Sequence, residues 1–163
     1  MELTIAGVIK ESIVDGPGIR YTVFTQGCPH HCPGCHNPQT WAFEGGQKTT
    51  PQELFADFQK DPILKGVTFS GGEPFCQAAE CAALARIARE RGLNVWAYTG
   101  YTYERLLAGE VPDALALLEQ VHGKRGEPIS RYAIRKEPQT FDRAQLRAFR
   151  DSLPKGYSLR LID

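Results

Sequence analysis

The sequence has no excess charge of either sign, no long apolar run and no leader-like segment. Nineteen basic and nineteen acidic side chains give its 163 residues a formal net charge of zero. Because no block of lysine and arginine occurs, we do not expect it to bind a nucleic-acid backbone or an anionic membrane. The start, MELTIAGVIKES, lacks an apolar run with a cleavage site, and no run of about eighteen apolar residues exists. These absences predict a soluble, cytoplasmic protein with no nucleic-acid partner and no membrane partner.

A disulfide framework is also missing. The chain has five cysteines, an odd number, and three of them fall within eight residues, from Cys28 to Cys35. Secreted disulfide scaffolds have even, spread-out sets. A chain of this length buries roughly 70% of its unfolded surface, so it needs no disulfide for stability. The pattern therefore predicts thiols that hold a metal or a cluster in a reducing compartment.

Short β-branched or aromatic runs alternate with longer helical stretches, which is typical of βα units. This alternation predicts an α/β fold with a largely parallel sheet. Residues 3–9 alternate in polarity as an edge strand does, and residues 50–53 (TPQE) predict a capping box with proline at the first helical position. The predicted strands are 3–9, 21–25, 66–70 and 93–98, and the predicted helices are 51–60, 77–91, 103–107 and 112–120.

The chain has no internal repeat and no linker, so we predict one domain over residues 1–163. Periodicity disappears over 122–138, which predicts a loop with one short strand at 132–134. A helix over 141–153, capped by Thr140, and a last strand over 157–162 are expected to follow.

Three cysteines with the spacing Cys28-x3-Cys32-x2-Cys35 occupy a long loop, residues 26–46. The number is informative because structural zinc sites and electron-transfer clusters normally have four protein ligands, and a cluster with three leaves one iron open to a substrate. The alternative is a Cys3His zinc site. Its fourth ligand would be a neighbouring histidine: His30, His31 or His36.

A second motif, residues 70–74 (SGGEP), directly follows a predicted strand. In βα folds this is the position of ligand-binding loops. Paired glycines alone usually mark a tight turn, but their occurrence together with the three cysteines favours a ligand site.

These two motifs together resemble the radical S-adenosylmethionine (SAM) superfamily. The resemblance implies a [4Fe–4S] cluster on Cys28, Cys32 and Cys35, with SAM bound beside the glycine motif. It implies electron transfer from the cluster to the SAM sulfonium and release of a 5′-deoxyadenosyl radical. The residues that it assigns to SAM binding are Gly71, Gly72, Glu73, Pro74 and Thr99.

Four segments in order resemble the glycyl-radical-enzyme activases: 14–20 (VDGPGIR), 26–28 (QGC), 35–41 (CHNPQTW) and 96–101 (WAYTGY). Among the activases, the residues of these segments most resemble those of the anaerobic ribonucleoside-triphosphate reductase activating enzymes. The resemblance implies a single-domain partial (β/α) barrel, open on one side, with cluster and SAM at the carboxyl ends of the strands. Its implied partners are a glycyl radical enzyme, class III ribonucleotide reductase, and a flavodoxin- or ferredoxin-type electron donor.

The remaining residues of interest are an aspartate, a glycine and two further cysteines. The resemblance places Asp15 on the substrate side, although an aspartate that begins a type I turn explains it equally well. Gly34 stands where many superfamily members have an aromatic residue that packs on adenine. Cys76 and Cys81 are predicted to be buried apolar cysteines.

Two other functions stay open. One is a radical SAM enzyme that acts on a small molecule, similar to 7-carboxy-7-deazaguanine synthase, and the other is a non-catalytic Cys3His zinc-binding module. Residues 122–157 are atypical for the activases, so the resemblance is strongest over residues 3–120.

Overall fold

A computed structural model describes residues 1–121, and the predictions made for residues 122–163 lie outside this range. The described chain forms five strands, four α-helices and two short 3-10 helices. The strands are β1 (Leu3–Ser12), β2 (Arg20–Thr25), β3 (Gln47–Thr49), β4 (Gly66–Gly71) and β5 (Asn94–Ala97). The α-helices are α1 (Pro51–Phe58), α2 (Ala78–Glu90), α3 (Tyr103–Leu107) and α4 (Ala114–Val121), and the 3-10 helices are Pro38–Thr40 and Pro74–Gln77.

The strands form one mixed sheet in the order β3-β1-β2-β4-β5. The α/β class is confirmed, and β2, β4 and β5 are parallel as expected. The sheet is not largely parallel, however, because β1 pairs antiparallel with both β2 and β3. The prediction of β1 as an edge strand is also wrong, since β3 lies outside it. Within residues 1–121 the sheet stays open, with β3 and β5 as its edges.

The core lies between the sheet and its helices. Val23, Val67 and Phe69 are fully buried on β2 and β4, and α2 contributes Leu84 and Ala85 to the same cluster. Central parallel strands covered by helices are expected to be continuously apolar, and this accounts for the run that made β4 recognisable in the sequence.

The helix start predicted at Thr50 is confirmed. Glu53 donates its backbone N–H to the Thr50 hydroxyl (3.2 Å), and the Glu53 carboxylate accepts from the Thr50 N–H (2.9 Å). This reciprocal cap contributes about 1 kcal/mol. It begins α1 directly after β3 and so fixes where the chain returns from the long loop.

Three loops leave the sheet on the same side, at the carboxyl ends of β2, β4 and β5, because parallel strands place these ends together. They are the cysteine loop after β2 (residues 26–46), the glycine motif at the end of β4 (residues 71–74) and the β5 loop (residues 98–102). No helix among residues 1–121 combines the length and the apolar character needed to cross a bilayer.

Candidate functional site

A cavity of about 630 Å³ opens where these three loops meet. Its walls include Cys28, Cys32 and Cys35 from the cysteine loop. The other predicted site residues that line it are Asp15, Gly71, Gly72, Glu73 and Thr99. Pro74 does not line the cavity; it is buried and begins the short 3-10 helix that leads into α2.

Backbone hydrogen bonds fold the cysteine loop back on itself. The N–H of Cys28 donates to the Trp41 carbonyl (3.0 Å), and the N–H of Cys35 donates to the Cys32 carbonyl (3.1 Å). The backbone N–H of Asn37 also donates to the Cys35 sulfur at 3.4 Å. Cys28 is buried, whereas Cys32 and Cys35 are partly exposed. The three thiols therefore stand on one loop that is closed by its own hydrogen bonds and lines the cavity.

The donor set fits a [4Fe–4S] cluster with one open iron. In a [4Fe–4S] cluster each cysteine binds a different iron, so the sulfurs surround the cluster and do not converge on a point. Tetrahedral zinc requires four ligands around one ion. Within the part of the chain that the structure describes, no three His, Cys, Asp or Glu side chains form such a group. Two histidines that were candidates for the fourth zinc ligand also have other contacts: His30 with Glu73, and His31 with the Trp41 ring.

Packing within the protein alone explains why both residues 71 and 72 are glycine. Gly71 has a φ of +88°, and a Cβ there would lie 2.7 Å from the Phe24 Cα. A Cβ on Gly72 would lie 2.4 Å from the Gly27 carbonyl oxygen. The Gly72 N–H also donates to the Thr25 carbonyl (2.8 Å). The glycine motif therefore packs directly against the start of the cysteine loop.

The Glu73 side chain is 1% exposed and is fully engaged with the protein. Its Oε1 accepts from the Phe75 N–H (3.0 Å), and its Oε2 accepts from the Gly100 N–H (2.7 Å). The same Oε2 lies 2.9 Å from Nε2 of His30. Sequence reasoning assigned Glu73 to SAM. In the structure its carboxylate has three protein partners: one in the cysteine loop, one in the β5 loop and one in the 3-10 helix that follows the glycine motif.

Asp15 and Thr99 line the cavity with side chains that make local contacts. The Asp15 carboxylate accepts from the Ser12 hydroxyl at 2.5 Å. The Thr99 hydroxyl accepts from the Tyr101 N–H at 3.1 Å. Each side chain is held in place by its own neighbourhood, so either could present an oxygen to a bound molecule without rearrangement.

Sequence reasoning missed the role of Arg20, which is fully buried on β2. It donates to the Pro17 carbonyl (3.0 Å) and to the Thr68 hydroxyl (2.5 Å), and that hydroxyl donates to the Asp15 carbonyl (2.8 Å). Burial lowers the pKa of Arg20 to about 10. Its guanidinium thus holds the turn that carries Asp15 against β4. The available signal was an arginine directly before a predicted apolar strand.

The two remaining cysteines differ from each other. Cys81 on α2 is fully buried, as predicted, and burial raises the pKa of its thiol well above the usual value. Cys76 is exposed, so the prediction of a buried residue is wrong there. Cys76 lies in the 3-10 helix that leads away from the glycine motif, with its sulfur 3.9 Å from the Tyr101 hydroxyl.

Comparison with known proteins identifies one matching family model, described as a 4Fe-4S single cluster domain, over residues 14–127. The anaerobic ribonucleoside-triphosphate reductase-activating protein of Salmonella typhi is 35% identical over 120 residues, which are 69% of this chain and 78% of that protein. The pyruvate formate-lyase-activating enzyme of Clostridium pasteurianum is 41% identical over 105 residues, 61% of this chain and 44% of that enzyme.

Among solved structures, the chain resembles the crystal structure of QueE from Escherichia coli, with a TM-score of 0.48 and 18% sequence identity. The superposed part covers 61% of this chain and 53% of QueE.

Proposed function

The chain belongs to the 4Fe-4S single cluster domain family and is a relative of anaerobic ribonucleoside-triphosphate reductase-activating proteins, and from this we propose that it is a radical SAM activase. It cleaves SAM reductively and generates a glycyl radical on a partner enzyme. The partner we propose is an anaerobic ribonucleotide reductase. Relatives named for that reductase and for pyruvate formate-lyase support the glycyl radical enzymes as the kind of partner.

One observation carries the proposal: the three cysteines line a single cavity together with Thr99 and the first three residues of the glycine motif, Gly71, Gly72 and Glu73. The cavity stands at the carboxyl ends of three parallel strands, where α/β proteins bind ligands. Three cysteines leave one iron of a [4Fe–4S] cluster without a protein ligand. That open position is what binding and reduction of SAM require.

The residues around the cavity have distinct proposed roles. Cys28, Cys32 and Cys35 hold the cluster, and backbone atoms of Gly71 and the Thr99 hydroxyl contact SAM. When bound to these cysteines, the cluster would supply the one electron needed to break the bond between the SAM sulfur and the 5′ carbon. Methionine would leave, and the deoxyadenosyl radical would take a hydrogen atom from a glycine Cα of the partner. The cavity walls keep water from the radical, as such chemistry requires.

The substrate side of the cavity is where the partner's glycine would enter. Val14 and Asp15 line this part of the cavity, and Val14 is 80% exposed. We propose that Asp15 faces the incoming glycine segment. The electron is proposed to come from a flavodoxin- or ferredoxin-type donor, and the location that we propose is the reducing cytoplasm.

The function is tested by anaerobic reconstitution with iron and sulfide, followed by reduction in the presence of SAM and a candidate partner. Anaerobic ribonucleotide reductase and pyruvate formate-lyase are tested in parallel. The expected result is 5′-deoxyadenosine by chromatography and a glycyl-radical signal by electron paramagnetic resonance (EPR) with the reductase.

Three outcomes would contradict the proposal in different ways. Colourless protein that holds zinc and no iron would favour the binding module. SAM cleavage without a radical on either partner would favour a small-molecule substrate. A radical on pyruvate formate-lyase alone would keep the activase chemistry and replace the partner.

A further inference from the structure

The Glu73 carboxylate connects all three loops that form the cavity. It belongs to the glycine motif, it accepts from the backbone of Gly100 in the β5 loop (2.7 Å), and it accepts from His30 in the cysteine loop (2.9 Å). Since a carboxylate oxygen only accepts, Nε2 of His30 is the donor. Hydrogen bonds to two different loops therefore meet at one buried oxygen, Oε2 of Glu73.

The imidazole of His30 is fixed on other sides as well. Its ring packs edge-to-face on Tyr101 with the centroids 4.6 Å apart. A Cβ on Gly100 would lie 2.4 Å from the His30 Cδ2, so the ring occupies the space that a side chain at position 100 would need. The His30 side chain is only 19% exposed. Its orientation is therefore determined by the β5 loop and by Glu73 together.

The contact is important because His30 lies in the chain between two of the proposed cluster ligands, Cys28 and Cys32. Within residues 1–121, the hydrogen bond to Glu73 is the one that ties the segment 29–36 to a different loop. The other hydrogen bonds of this segment stay inside the cysteine loop, such as that from the Cys35 N–H to the Cys32 carbonyl. The position of Cys32 and Cys35 relative to the glycine motif thus depends on His30.

We infer that His30 is a positioning residue that, through Glu73, holds the cysteine loop in register with the two loops that receive SAM. A functional constellation must be held to within about 0.5 Å to work. Without the His30 contact, the cysteines can still bind iron, but the open iron and the SAM-binding loops are no longer fixed relative to each other. The inference rests on the proposed SAM binding and adds a residue that no motif assigned.

The test compares His30→Leu with His30→Gln, whose side-chain amide can still donate to Glu73. His31→Asn is the matched control: His31 lies in the same loop, packs on Trp41, and has a φ of +46°, which asparagine tolerates. Each variant is reconstituted, its iron and sulfide are measured, and SAM affinity is determined from the change that SAM causes in the EPR spectrum of the reduced cluster. Thermal unfolding of the cluster-free protein is measured alongside.

We expect His30→Leu to load iron almost as the parent does but to bind SAM about tenfold more weakly, equivalent to about 1.4 kcal/mol. His30→Gln should recover most of the affinity, and His31→Asn should match the parent. If His30→Leu fails to fold, His30→Asn takes its place, because this polar side chain is too short to reach Glu73. Equal SAM affinity in the Gln and Asn variants would then overturn the inference.

The two proposals fail differently in this experiment. A parent protein that holds a cluster but binds no SAM would refute the proposed function and this inference with it. SAM binding that is equal in the parent, His30→Leu and His30→Gln would refute only the positioning role of His30.

Discussion

Gly72 and Gly27 touch through their backbones: a Cβ on Gly72 would lie 2.4 Å from the Gly27 carbonyl oxygen. The Glu73 N–H donates to the same oxygen at 2.8 Å. Because Gly27 directly precedes Cys28, the glycine motif supports the first of the three proposed cluster ligands.

Gly72→Val should therefore disturb the cluster. A branched side chain would push the cysteine loop away, and such overpacking costs about 1–3 kcal/mol. We expect the reconstituted variant to hold much less iron than the parent protein and to unfold at a lower denaturant concentration. Gly7→Val in β1 is the control, because no atom lies within 4 Å of a Cβ there. Full iron content in Gly72→Val would contradict this packing argument.

The five cysteines should fall into two classes. Replacement of Cys28, Cys32 or Cys35 by alanine should remove activity and most of the bound iron. Cys76→Ala should leave the iron content nearly unchanged, because its exposed thiol does not line the cavity. Cys81→Ala should also keep the cluster, although the loss of a buried sulfur costs stability, about 1 kcal/mol. The measurement is the iron content of each reconstituted variant. If Cys76→Ala held as little iron as Cys32→Ala, this ligand assignment would be contradicted.

Arg20→Leu should destabilise the protein strongly. The substitution leaves the Val67 and Pro17 carbonyls without their buried donor, and lost hydrogen bonds to a charged group cost about 1.5–3 kcal/mol. Urea denaturation of the cluster-free protein should show a loss of about 3 kcal/mol in the free energy of unfolding. Arg86→Ala, at an exposed position of α2, should change it by less than about 0.5 kcal/mol. Equal stability of the two variants would show that the Arg20 contacts contribute nothing.

Stability should fall in alkaline solution, in part because of Tyr101. Burial raises the pKa of Tyr101 to about 12, whereas tyrosine in an unfolded chain titrates near pH 10, about its unperturbed value. The folded protein keeps this proton where the unfolded chain has lost it. The contribution is therefore complete below about pH 10 and lost as the pH rises through about 12.

The measurement is the free energy of unfolding of the cluster-free protein at several pH values from about 9 to about 11. The free energy of unfolding of Tyr101→Phe should fall less steeply over this range, because this variant keeps the ring contact with His30 and lacks the titrating hydroxyl. An identical slope in the parent and the variant would contradict the assignment of this pH dependence to Tyr101.

Local patterns predicted much of this fold because the physics behind them is local. The Thr50 cap depends on residues three apart, and the apolar run of β4 follows from its central position in the sheet. The three-residue β3 has no periodicity to recognise. Its pairing with β1 makes β1 an internal strand. The residues of each segment do not indicate which distant strand it pairs with, so this pairing could not be predicted.

The site shows the same division. The spacing of the cysteines and the glycine motif after β4 predicted which residues meet in the cavity, because parallel strands bring their carboxyl ends together. The contact between His30 and Glu73 spans 43 positions and depends on side-chain direction, so no spacing rule predicts it. The exposure of Cys76 could not be predicted either, because it depends on how the 3-10 helix turns away from the glycine motif.

The central claim is that a radical made from SAM at this cavity takes a hydrogen atom from a partner's glycine. The most direct measurement uses partner reductase labelled with glycine deuterated at Cα, together with the reconstituted protein, SAM and a reductant. Mass spectrometry of the 5′-deoxyadenosine should show one deuterium gained from the partner, and the glycyl-radical EPR doublet should collapse toward a narrow singlet. Formation of 5′-deoxyadenosine without deuterium in the presence of labelled partner would contradict the account.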